Sequence, residues 1–150
     1  MKVYLDVQSI QSLNGSTITG IINVEHNGLH FPGASWNDIV DGVMEIWGAQ
    51  LTRLHGVDRI ELIFMDGPQR IKITRVDKNA LFHFVGQSGD LPDGTVVEAN
   101  LREFVSSYLV AARELINHSK GEIYGQSASI DYIRGHMKVL SAHWKIRFLF

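Results

Sequence analysis

The stretch SWNDIVDGVMEIWGAQLTRLHG, residues 35–56, decides the fold class. Its large apolar residues are Trp36, Ile39, Val40, Val43, Trp47, Leu51 and Leu54. They follow the i, i+3, i+4, i+7, i+11 series of a helix that buries one face. Ser35 stands where a capping serine accepts an orphan backbone N–H, with Asp38 in the place of the capping-box glutamate. Asp38 and Asp41 suit the positive end of the helix dipole, Arg53 suits the negative end, and Gly56 supplies a stop. The spacing therefore predicts a helix from Trp36 to Leu54. Its two tryptophans would stack three turns apart on the buried face, with Asp38, Asp41 and Glu45 exposed on the other.

On either side of this helix the periodicity changes from 3.6 to 2. Val3, Leu5 and Val7 alternate with Tyr4, Asp6 and Gln8, which predicts a half-buried strand over 2–8, followed by a loop over 9–16. Residues 17–25 are rich in β-branched side chains and predict a second strand. Asn27-Gly28 then reads as a type I′ hairpin turn, because both residues accept positive φ at low cost. A short third strand, 29–31, would stop at Pro32-Gly33. Beyond the helix, 58–65, 70–76 and 81–85 form a predicted meander with turns at Asp66-Gly67-Pro68 and Asp77-Lys78-Asn79. Residues 86–94 read as an exposed, mobile connector, and 95–97 as a short strand.

Asn100-Leu101-Arg102-Glu103 opens a second predicted helix, whose apolar face runs from Leu101 and Phe104 to Leu115 and Ile116 and which Gly121 would end. Ile130, Ile133, Met137 and Leu140 predict a third helix over 129–143. Ile146, Phe148 and Phe150 alternate as a last edge strand. These elements make an α+β fold, a single domain over residues 1–150. A mostly antiparallel sheet of about five to seven strands would be covered on one face by two to three amphipathic helices.

The 150 residues are 45% hydrophobic and 20% charged, the composition of a globular chain with one ordinary core. No apolar run is long enough to span a bilayer. Asp6 falls where the apolar region of an export signal would lie, so a cytoplasmic location is expected. With no cysteine, disulfides and thiolate chemistry are excluded. The net charge of −2 is unevenly spread: residues 1–50 hold one cation against five acids, and residues 101–150 hold seven against four. Such polarity can steer a charged partner, whereas the scattered basic residues argue against nucleic acid.

No P-loop, G-x-S-x-G, H-E-x-x-H, G-x-G-x-x-G or EF-hand pattern occurs, so neither catalysis nor a cofactor is expected. His26 and His30 flank the hairpin turn, and His136 and His143 share a helical face. A metal site needs at least three convergent ligands, and no carboxylate stands at ligand spacing in either pair. Arg70 and Lys72 face Arg59 and Glu61 on the neighbouring strand, so mutual neutralisation is expected in place of phosphate binding. Should the protein instead bind a small ligand or act as an enzyme, the site would lie between sheet and helices, involving His83 or Tyr108. A homo-oligomer would assemble through residues 146–150.

Phe31-Pro32-Gly33-x-x-Trp36-Asn37-Asp38, the helix with Trp47, and Phe64-Met65-Asp66-Gly67-Pro68 resemble a pattern met in small uncharacterised bacterial proteins of the toxin-immunity type. The resemblance covers residues 31–68 and implies a non-catalytic protein that neutralises a toxin encoded nearby. It carries no functional residue of its own. Joined to the charge distribution, it implies an inhibitor of a basic toxin, docking through Asp38, Asp41 and Glu45.

Overall fold

The computed structural model describes residues 1–13, 17–120, 122 and 128–147. Strands β1 (Lys2–Leu13) and β2 (Thr17–His26) pair antiparallel, and a register shift between Asp6 and Gln11 bulges β1. Ser9 fills the bulge: its hydroxyl donates to the Asp6 carbonyl at 2.6 Å and accepts the Ile21 N–H at 2.7 Å. β1 therefore runs on through residues expected to be a loop. Asn27 and Gly28, at φ 51° and 78°, make the expected tight turn into β3 (Leu29–Phe31).

The helix start is the main correction. Asn37–Ile39 is not helical but a short strand, β4, which lies beyond β3 along the same edge of β2, with Thr19 opposite Ile39 and Gly20 opposite Asp38. Just before it, the Trp36 carbonyl accepts the Ile22 N–H at 3.1 Å. Pairing with β2 gives these backbone groups partners that the first turn of a helix would have left open. Helix α1 is thus Val40–Arg53, and among the described residues neither Ser35 nor any other side chain caps its start.

Strands β5 (Arg59–Ile63), β6 (Arg70–Val76), β7 (Asn79–Val85) and β8 (Val96–Asn100) form a second antiparallel sheet in chain order. The fold is α+β with antiparallel sheets, as expected; the described residues hold eight strands, slightly over the expected five to seven, divided between two four-stranded sheets. Helix α2 (Leu101–Ser119) begins as its sequence predicts, with the Asn100 side chain accepting the Glu103 N–H at 2.9 Å. Gly121, its expected stop, lies outside the described residues. Helix α3 is Ala128–Trp144. Lys145 to Arg147 form no strand: Lys145 takes φ 52°, and Arg102 donates to the Trp144 and Lys145 carbonyls at 3.2 Å. The rest of that expected strand, residues 148–150, lies outside the described residues.

One hydrophobic core joins both sheets and all three helices. Trp36 and Trp47 share no helix, yet both set ring edges against Phe64, at centroid distances of 6.1 and 5.2 Å, and Phe31 joins them at 5.9 Å. Trp47 is fully buried and donates its indole N–H to the Ile63 carbonyl at 2.7 Å. The helices meet at Gly48, where an added Cβ would run into the Tyr108 hydroxyl and lie 2.9 Å from His136 Cβ. Tyr108 uses that closeness to donate to the Met44 carbonyl at 2.7 Å. No described helix is long and apolar enough to cross a membrane.

Candidate interaction surface

Alternation along β5–β8 sends one set of side chains into the core and leaves the other set on an open face. Register arranges that face in rows. Glu61, Lys72, His83 and Val96 lie side by side in one, and Arg59, Thr74, Leu81 and Glu98 in the next. A third row brings Ile63, Arg70 and Val85 together. Ile46, Gln50 and Arg53 of α1 rise beside β5 and turn the face into a shallow concavity of about 740 Å³. Three aliphatic side chains remain exposed within it: Ile63 at 39%, Leu81 at 36% and Val96 at 54%.

The expected neutralisation of the basic residues is only partial. Arg70 reaches Glu61 at 3.6 Å, and the Arg53 side chain donates to the neutral Gln50 at 3.1 Å. Among the described residues neither Arg59 nor Lys72 has an ion-pair partner. The concavity therefore carries exposed aliphatic side chains on β5, β7 and β8 and cations on α1, β5 and β6.

The expected exposed acidic stripe does not form. Asp38 is 2% and Asp41 6% exposed, and only Glu45 reaches solvent in part. Asp38 is a structural acceptor. One carboxylate oxygen takes the Trp36 indole N–H and the Met65 backbone N–H, each at 3.0 Å, and the other takes the Ile39 N–H at 2.7 Å. Burial raises the Asp41 pKa, backbone N–H groups partly offset this, and the Glu45 charge adds to it. One buried Asp41 oxygen has no hydrogen-bond partner among the described residues. The segments that carry the immunity-type resemblance thus form one structural knot: Phe31, Trp36 and Phe64 in ring contact, with Asp38 tying β4 to the β5–β6 connection.

The histidines separate in the same way. His26 lies opposite Leu29 and His30 opposite Glu25, so the hairpin register puts the two imidazoles on different faces. The His30 ring donates to the fully buried Asn23 at 2.7 Å. His136 packs beside Gly48, while His143 meets His55 ring to ring with 3.0 Å between nitrogens. That pairing, across 88 residues, has no sequence signal. Among the described residues, no three His, Asp or Glu side chains converge as metal ligands. His83 lies on the open face, whereas Tyr108 is buried and its phenol is pushed far above the ordinary range by burial.

The connector over 86–94 is better fixed than expected. Asp90 accepts the His30 N–H and Asp93 the Gly86 N–H, both at 2.8 Å, and Leu91 is buried.

No protein-family model, curated protein or solved structure matches the chain. Its function has to be argued from its own surface.

Proposed function

We propose that the chain is a non-catalytic binding protein that docks a protein partner on the open face of β5–β8. The observation that carries this is the exposure of Ile63, Leu81 and Val96 together in one concavity on a hydrogen-bonded sheet. Apolar side chains gathered in one surface patch gain free energy when a partner covers them, and a sheet holds them in place at little entropic cost. The shallow form suits a macromolecular surface; a small substrate needs a site that encloses it and excludes water. The immunity-type reading keeps its partner class under this proposal, a protein, but moves the docking surface from Asp38 and Asp41 to the sheet.

The test places the photo-crosslinker p-benzoylphenylalanine at Leu81 or Val96 in the native host, with Tyr132 and Val139 of α3 as exposed controls. A discrete protein adduct from the sheet positions, absent from the α3 positions, supports the proposal. Adducts from α3 alone, or none from either face, overturn it.

A further inference from the structure

We infer that the partner offers the sheet an acidic segment carrying aliphatic side chains. This rests on the docking face proposed above and concerns the chemistry of its occupant. Three cations line the concavity, Arg53, Arg59 and Lys72, against one acid, Glu61, while Arg70 and Glu98 lie further along its rows. Arg70 and Glu61 form an ion pair at 3.6 Å, and Glu98 lies beyond Leu81 in the Arg59 row. Among the described residues Arg53, Arg59 and Lys72 form no ion pair, although Glu61 stands opposite Lys72. They form a local positive field on a chain whose net charge is −2.

Arg53 ends α1 and Arg59 begins β5, so the short connection between them fixes both at one corner of the concavity. Lys72 lies on the adjacent strand opposite Glu61, diagonal to Arg59 and about 7–8 Å from it. A segment crossing the strands from that corner toward β8 would meet cations first and then Leu81 and Val96. Carboxylates followed by aliphatic side chains complement that order.

Nucleic acid is the other polyanion to weigh, and the face lacks what it needs. Single strands are held by stacking on aromatic rings, whereas the exposed apolar groups in this concavity are aliphatic.

The probe is a fluorescein-labelled peptide alternating Asp/Glu pairs with Leu, compared with its Asn/Gln analogue and an oligothymidylate of similar length. The acidic peptide is expected to bind, and to weaken at least about fivefold between roughly 50 and 300 mM salt. Arg59→Glu/Lys72→Glu should weaken it by about tenfold or more with an unchanged thermal melt. The inference is overturned if the neutral analogue binds equally well, if the oligothymidylate binds more tightly, if the double variant binds like the parent, or if no peptide binds at about 1 mM. Any of these, with adducts at Leu81 intact, removes the acidic partner and leaves the docking face standing. Loss of the adducts removes the face itself.

Discussion

Asp38 accepts the backbone N–H of Met65, 27 residues further along the chain, at 3.0 Å. The same carboxylate holds the Trp36 indole and the Ile39 N–H, so one side chain links the first sheet to the connection between β5 and β6. Replacing it with alanine strands three donors in a buried place. Asp38→Ala is expected to cost about 3 kcal/mol, measured by urea denaturation, with Asp38→Asn costing less because its carbonyl still accepts. An unchanged midpoint for Asp38→Ala would refute this role.

The two tryptophans should separate in the same measurement. Trp47 is fully buried and hydrogen-bonded to Ile63, so Trp47→Ala is expected to lose about 4 kcal/mol. Trp36 is only half-buried, and Trp36→Ala should lose about half as much. Equal losses would restore the common buried helical face that the spacing suggested.

Acid should loosen the contact between the ends of α1 and α3. Burial lowers the His143 pKa from 6.5, and the nearby His55 and Arg75 charges lower it further. His136 is lowered by burial too, against an opposing pull from Glu45. The unfolded chain therefore takes up protons before the folded one as pH falls below 6.5, so stability declines through that range and levels off below the folded values. Urea midpoints from pH 7.5 to 5 should trace this fall, and His143→Gln should flatten part of it. An equally steep fall in His143→Gln would assign the dependence elsewhere.

Asp41 has the opposite sign. Its folded pKa is raised, so the ionised form opposes folding at neutral pH, and protonation relieves this as pH falls through the folded value. Asp41→Asn is expected to raise the melting temperature at pH 7 and to lose that advantage in acid. A lower melting temperature at pH 7 would show that the negative charge at the start of α1 outweighs its burial.

Local signals were legible, and pairings over distance were not. Asn100 announces α2 because a cap acts on a backbone group three residues away. The strands of the second sheet show in their alternation for the same reason. Trp36 to Ile39 misled because their spacing satisfies a helical face equally well, and only the free edge of β2 decides the matter. The acidic residues misled with them: once Asp38 is in a strand, its carboxylate points at the N–H of Met65 and not at solvent. The docking face was half legible. Alternation located the strands, but the rows that place Leu81, Val96 and the cations depend on register between strands. The His55–His143 contact depends on how two helices end in space, which neither helix encodes alone.

The glycine where the three helices meet ties their histories together. Because Tyr108 and His136 occupy the room a side chain at Gly48 would need, volume there is a shared resource of all three helices. Enlarging any one of these positions displaces the other two, so tolerated changes should come as matched sets across helices. A library randomising 48, 108 and 136 together would recover combinations that single substitutions never reach.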